Sequence, residues 1–228
     1  MLQNSSSLSR VMEQETISKN GASSKSQTSR NNFFLIACFT LLSVFSGCSK
    51  DKVEIQNLIR QTLKWADSKN VIDILPMLTD SKDSIYIGFD LTRHETNLDK
   101  LRVTDFFANE FIENYNRIIL TLDRKLKNRE FEDWLVGDLP PFRFANDVNP
   151  WCACQGIPYD NPSPWGLVEI EIIEINNDKA QLIWKWGKLD SNMDSSWEKF
   201  LYKFRAVKEN GKWKIAYLQE FDFDETTK

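Results

Sequence analysis

The stretch "FRAVKENGKWKIAYLQEF", residues 204–221, alternates apolar and charged side chains on either side of a turn dipeptide. Phe204 and Ala206 fall on one face of an extended chain and Arg205 falls on the other, because successive side chains of a strand point to opposite faces. Asn210-Gly211 tolerates the positive φ angles that two-residue hairpin turns require. The stretch therefore predicts a β-hairpin with one apolar face.

The same alternation extends upstream of this hairpin. Residues 168–172 read Val-Glu-Ile-Glu-Ile, and residues 176–178, Asn-Asn-Asp, predict a turn. On this pattern one face of the strands carries Ala180, Leu182, Trp184, Trp186, Phe200, Tyr202, Phe204, Ala206, Trp213, Ile215 and Tyr217. Strands with one apolar and one charged face are typical of an antiparallel sheet that exposes one side to water.

The first half of the chain is predominantly helical by pattern. Apolar residues at three- and four-residue steps predict a helix from Asp51, which with Glu54 resembles a capping pair, to residue 66. A short helix is predicted around residues 71–78 and a strand over residues 84–89. The longest predicted helix begins at Thr104 as its cap and keeps one apolar face as far as Leu126.

Charge and composition limit the classes of partner. The 228 residues are 41% hydrophobic and 12% aromatic and carry a formal charge of −4, which is enough apolar material for one packed core. Removing residues 1–48 deletes four basic and two acidic residues, so that 25 basic and 31 acidic side chains remain. Nucleic-acid binding requires clustered Lys and Arg. A nucleic-acid partner is therefore not expected.

Residues 31–50, "NNFFLIACFTLLSVFSGCSK", carry a targeting signal. The uncharged run from Phe33 to Gly47 would span only about 22 Å as a helix, less than the roughly 30 Å of a bilayer core. Arg30 precedes this run and small residues end it, the pattern of a secretory signal. An uncleaved anchor and a core helix are the alternatives, but a core helix should be amphipathic. The predicted division is a 1–30 extension, a 31–48 signal and one α+β domain over 49–228.

Two cysteines remain in the predicted domain, Cys152 and Cys154. An oxidising compartment favours a disulfide, although a bridge across one residue closes a small ring, so two buried thiols are the alternative. A redox role is a third possibility, because strained bridges are easily reduced. Two Cys and the only His, His94, are too few ligands for a closed zinc site. No metal or other cofactor is expected.

Two sets of residues are candidates for a site. Trp184, Trp186, Tyr202 and Tyr217 share one predicted face, and aromatic side chains with polar tips suit a pocket for a small or sugar-like ligand. The alternative is that they form the sheet core. His94 lies in the polar segment "DLTRHETNLD", residues 90–99, which reads as a connection in which this His is solvated. Near Asp90 it could also act as a general base.

The segment Ser46-Gly47-Cys48 resembles the lipobox of bacterial lipoproteins, with Phe45 in place of the usual aliphatic residue. The resemblance implies lipidation of Cys48 and a mature chain that begins there. Ser49, rather than Asp, follows Cys48, which by resemblance to Gram-negative lipoproteins implies the outer membrane. A secretory signal with a lipidated cysteine would attach the protein to the cell envelope through its lipid.

The order of elements, together with residues 204–221, resembles the nuclear-transport-factor-2-like fold, in which a curved sheet wraps a long helix and leaves a cone. The segment "NPWCACQ", residues 149–155, resembles secreted proteins of this fold that include immunity proteins against type VI secretion effectors. These resemblances imply a non-catalytic binding module for a small ligand or a protein. A hydrolase- or isomerase-type pocket enzyme and a lipoprotein that dimerises through its sheet are the alternatives.

Overall fold

The computed structural model describes residues 50–158 and 164–228, which lie in one compact unit. The predicted extension over 1–30, the predicted signal over 31–48 and Cys48 lie outside the described residues. The described chain has an α+β architecture with two antiparallel sheets, which confirms the α+β part of the prediction. Its elements are α1 (50–66), β1 (Met77–Thr79), β2 (Tyr86–Phe89), α2 (Leu91–Thr104), α3 (Asn109–Lys127), β3 (Val168–Asn176), β4 (Lys179–Trp186), β5 (Tyr202–Glu209), β6 (Lys212–Leu218) and α4 (Phe223–Thr226).

Strands β3 to β6 form a meander in chain order, as the alternation predicts. The register pairs Trp184 with Tyr202 and Leu182 with Phe204, so their side chains share one face. These four side chains are almost completely buried, whereas Lys203 and Arg205 on the opposite face are exposed. The turn between β5 and β6 lies at Asn210-Gly211, where both residues have positive φ, as the hairpin prediction requires.

A register shift in β6 corrects one part of the predicted pattern. Arg205 pairs with Tyr217 while the next residue, Ala206, pairs with Ile215, so Ala216 is an extra residue in β6. An extra residue reverses the side-chain alternation beyond it. Tyr217 is therefore on the charged face with Arg205, not on the inner face with Trp184, and Leu218 takes the buried position instead.

The helical half differs from the prediction at three places. Thr104 ends α2 and does not cap α3, which begins after Ala108. Residues 71–78 form no helix; Met77 begins strand β1. The polar segment at residues 90–99 is not a connection, because α2 begins at Leu91 with Asp90 as its cap. The α2 pattern is weak because two of its buried positions are the polar residues His94 and Asn97.

The core lies between α3 and the inner face of the four-stranded sheet. Phe107, just before α3, forms a parallel bridge with Ile215 of β6, which attaches the start of α3 to the sheet edge. Trp151 from the loop after α3 packs edge-to-face on Trp65 of α1, with ring centroids 5.1 Å apart. Trp165 donates a hydrogen bond from Nε1 to Asp67 at 3.0 Å. These two tryptophans attach the loop segment that contains Cys152 and Cys154 to the end of α1.

Strands β1 and β2 form a separate small sheet near the C-terminal end of α3. The Asp123 carboxylate of α3 accepts a hydrogen bond from the Phe89 N–H at 2.9 Å and pairs with Lys127 at 2.7 Å. A Cβ added at Gly88 would lie 3.0 Å from the Asp123 carboxylate, so glycine favours this close approach. The segment around Leu135 continues the small sheet through a bridge to Ile85.

Candidate binding surfaces

The predicted aromatic site does not form one pocket. Trp184, Trp186 and Tyr202 are at most 3% exposed. The Trp184 and Trp186 rings meet edge-to-face at 4.8 Å, and Tyr202 donates its hydroxyl hydrogen to the Pro150 carbonyl at 2.7 Å. Side chains packed in this way have no surface left for a ligand, and the Tyr202 hydroxyl is satisfied within the protein. These three residues occupy core positions, which is the alternative interpretation of the pattern.

Tyr217 is separated from that cluster and lines a surface groove of about 520 Å³. The groove lies between α3, strands β5 and β6, and the C-terminal segment, and we call it the α3 groove. Tyr217 donates a hydrogen bond to Asp222 at 3.2 Å, and burial together with Asp222 raises the pKa of Tyr217 to about 12. Its phenol is thus neutral and fixed at the groove wall.

Two arginines of the α3 groove are held by aromatic rings. Arg117 of α3 stacks on Phe223 at 4.0 Å, and Arg205 lies 5.3 Å from the centre of the Tyr217 ring. Arg205 also pairs with Glu110 at 3.4 Å. Arginine stacked on an aromatic face is restricted in motion, and its charge can still reach a ligand. The groove therefore presents fixed charges of both signs.

His94 is 1% exposed and does not line the described cavities, contrary to the prediction that it is solvated. Its Nε2 lies 2.9 Å from the Asn116 amide oxygen, and its ring packs edge-to-face on Tyr115. Burial lowers the His94 pKa, which favours the neutral imidazole. Asp90 accepts the Arg93 N–H at 3.0 Å as a helix cap. His94 therefore lacks the access to a substrate that a general base needs. Asp90 is half-buried at a surface pocket, where it serves as the cap of α2.

A disulfide joins Cys152 and Cys154, whose Cα atoms are 5.2 Å apart. Cys152 is buried beside Trp151, and Cys154 is half-buried. The backbone of Cys154 accepts a hydrogen bond from the Asn149 N–H at 3.1 Å. The bridge therefore closes a compact turn in the loop that supplies Pro150 O to Tyr202.

A second surface is apolar and surrounds the small sheet. Leu78, Ile87, Leu135, Val136 and Leu139 are each between 43% and 59% exposed, and we call this set the aliphatic surface. Ile85 pairs directly with Leu135, and Ile87 follows Ile85 by two residues, so the side chains of Leu135 and Ile87 lie on the same side of the small sheet. Tyr86 and Trp134 point inward from the same strands and pack at 4.3 Å.

Grouped exposed aliphatic side chains commonly mark an interaction site, whereas single ones do not. Acidic residues lie in the loops that border the aliphatic surface: Asp80, Asp83, Glu132, Asp133 and Asp138. Reasoning from the sequence did not identify this surface, because its members come from three separate segments of mixed composition. The pattern "WLVGDLP", residues 134–140, with three aliphatics in a polar region, was the available signal.

Comparison with known proteins gives no relative for this chain. No protein-family description, curated protein or solved structure matches it significantly. In residues 50–158 and 164–228, no helix is long and apolar enough to cross a membrane. The same residues contain no group of three or more His, Cys, Asp or Glu side chains that could hold a metal ion.

Proposed function

We propose that this chain is a lipid-anchored envelope protein whose α+β domain is a non-catalytic binding module for a protein partner. The observation that carries the proposal is the contrast between a closed interior and an open apolar surface. Trp184 and Tyr202 are buried in the core, while the aliphatic surface exposes side chains from three segments. Such a surface favours association with a protein, because burying it removes apolar area from water.

The proposal includes the nuclear-transport-factor-2-like cone and the outer-membrane address. Support for the cone is the long helix α3 lying on a four-stranded meander, with a core filled by aromatic side chains. Support for the anchor is the sequence alone, Ser46-Gly47-Cys48 after an apolar run. An immunity-type protein that blocks a toxin is one form of this function, and it requires an exposed docking surface of this kind.

A small ligand remains a second candidate because Tyr217 lines the α3 groove. Its neighbours there are the fixed guanidinium groups of Arg117 and Arg205. Convergent polar groups beside an aromatic ring are what small-molecule sites use for orientation. A ligand for this groove would carry charge or many hydroxyl groups, since the groove walls are more polar than apolar.

The anchor is tested by intact mass and detergent partitioning after expression in a Gram-negative host. We expect the wild-type chain to lose residues 1–47, to gain the mass of an acylated diacylglycerol and to enter the detergent phase. The matched variant Cys48→Ala should remain unprocessed. Wild-type protein that stays full length and in the aqueous phase would overturn the envelope assignment.

The partner surface is tested by photo-crosslinking in living cells. A photoreactive residue is placed at Leu135 or Ile87. The control position is Ile173, an aliphatic residue on the edge strand of the four-stranded sheet that is more exposed than either. We expect one discrete protein adduct from the first two positions and none from Ile173. No adduct at Leu135 and Ile87, or the same adducts at all three positions, would contradict this docking site.

A further inference from the structure

The start of α1 is attached to the turn between β5 and β6. The Asp51 carboxylate accepts a hydrogen bond from Trp213 Nε1 at 2.9 Å and pairs with Lys208 at 2.7 Å. The C-terminal end of α2 reaches the same turn, because Asp105 pairs with Lys212 at 2.6 Å. Glu54, Thr104 and Gly211 line one shared recess. These three elements form one end of the domain, which we call the hairpin end.

Chain length fixes the distance between this end and Cys48. Lys50 is the second residue after Cys48, and two residues span at most about 7 Å. That distance is smaller than the diameter of a helix with its side chains, about 10 to 12 Å. A lipid on Cys48 would therefore hold the hairpin end at the headgroup layer, without a linker that would let the domain move away.

The surface chemistry of the hairpin end suits this position. Val103, on the last turn of α2, is 84% exposed, and Val53, on the first turns of α1, is 53% exposed. In the sequence, Val53 directly precedes Glu54 and Val103 directly precedes Thr104, and both of these following residues line the shared recess. The lysines of the hairpin end have long stems that let their ammonium groups reach headgroups, so these two valines and the lysines can lie at a bilayer surface when the lipid on Cys48 holds them there.

The charges of the hairpin end are largely paired. Asp51 lies against Lys208, and Asp105 lies between Lys212 and Lys214. A surface with paired charges does not depend on anionic lipid in the way that a polybasic segment does. Contact with the bilayer should therefore be set by the anchor and by the two valines.

Resting on the lipid anchor of the proposed function, we infer that the hairpin end lies against the bilayer and that the aliphatic surface faces away from it. Helix α3 separates the two regions. At one end the Asn109 N–H donates a hydrogen bond to the Glu209 carboxylate of the hairpin, and near the other end Asp123 accepts a hydrogen bond from Phe89 of the small sheet. The rise from Asn109 to Asp123 is about 21 Å. The docking surface is thus presented outward, beyond the headgroups.

The test measures the depth of single positions in the lipidated full-length protein. Cysteines replace Val103, Asn210 or, as the distal control, Leu139, and each is labelled with an environment-sensitive fluorophore without reductant, so that the Cys152–Cys154 disulfide stays closed. The protein is reconstituted in phosphatidylcholine vesicles that contain lipid brominated near the headgroup. We expect quenching at Val103 and Asn210 to exceed that at Leu139 roughly threefold or more, because about 21 Å is larger than the headgroup layer.

Intact mass of each labelled protein shows whether the lipid is attached. This measurement distinguishes a failure of the proposed anchor from a failure of the proposed orientation. Absence of the lipid would overturn the proposed anchor and, with it, this orientation. A lipidated protein in which Leu139 is quenched as strongly as Val103 and Asn210 would overturn the orientation alone. Quenching that appears only after phosphatidylglycerol is added would overturn the argument that paired charges make the contact independent of anionic lipid.

Discussion

The two sheets of this protein differ in how far their apolar side chains are buried. The four-stranded sheet buries its aromatic face against α3, where Trp184 and Tyr202 are at most 1% exposed. The small sheet packs the half-buried Tyr86 against the buried Trp134 but leaves Ile87 and Leu135 about half exposed on its other side. The first sheet is covered by α3, and the second has an apolar face that residues 50–158 and 164–228 leave exposed. Stability should therefore depend on the first sheet and recognition on the second.

Trp184→Ala is the strongest test of the expectation that stability depends on the four-stranded sheet. The substitution removes a large, fully packed side chain, and we expect it to lower the free energy of unfolding by about 3 to 5 kcal/mol. Urea denaturation followed by tryptophan fluorescence and by circular dichroism provides the measurement. A loss smaller than about 1 kcal/mol would mean that the four-stranded sheet does not hold the main core.

Gly187→Ala tests how closely the end of β4 is packed. A Cβ at this position would lie 2.6 Å from the carbonyl oxygen of Leu167, a backbone atom that cannot rotate away. We expect a loss of about 1 to 3 kcal/mol in the free energy of unfolding. Gly166→Ala is the matched control, because nothing lies within 4 Å of its added Cβ. Equal stability of the two variants would show that the contact at Gly187 relaxes.

Acid should weaken the fold through His94. Burial lowers its pKa below the ordinary value of 6.5, so the unfolded chain takes up a proton at a higher pH than the native chain does. The stabilisation is complete above about pH 6.5 and is lost as the pH falls through the lower native pKa. We expect the melting temperature to fall between pH 7.5 and 5, and to fall less in His94→Gln. Parallel profiles of the two proteins would argue against this titration.

Leu135→Ala should have the smallest effect on stability. The side chain is half exposed, and surface substitutions usually change the free energy of unfolding by no more than about 0.5 kcal/mol. The same variant should reduce the yield of the crosslinked adduct formed from Ile87. A loss of stability as large as that of Trp184→Ala would instead make the aliphatic surface part of the core.

The meander was predictable because each strand shows the period-two alternation by itself and turn residues mark the ends of the strands. The position of Tyr217 was not, because the extra residue Ala216 reverses the alternation, and no local signal marks such a bulge. Helix α2 was missed for a related reason. Its buried positions include His94 and Asn97, whose hydrogen bonds to Asn116 and to the Asp73 carbonyl replace the apolar contacts that define a helical stripe.

The candidate binding surfaces were less accessible to sequence reasoning than the fold. The aromatic pattern correctly groups Trp184, Trp186 and Tyr202 on one face, but a pattern does not show whether that face is covered. Their burial depends on α3 and on the loop that brings Pro150 to Tyr202, 52 residues away along the chain. The aliphatic surface depends on pairing between Ile85 and Leu135, which no periodicity within one segment reveals.

By itself, the sequence determined the α+β class, the order of the four strands and the prediction of a lipid anchor at Cys48, because periodicity, turn dipeptides and targeting signals are local. Only the tertiary structure decided that the aromatic face is closed, that Tyr217 lies in a surface groove and that three segments with exposed aliphatic side chains pair around the small sheet. Exposure is a property of what packs on a residue, and its packing partners here are distant in the chain. Surfaces of this kind therefore become visible only when the fold brings their segments together.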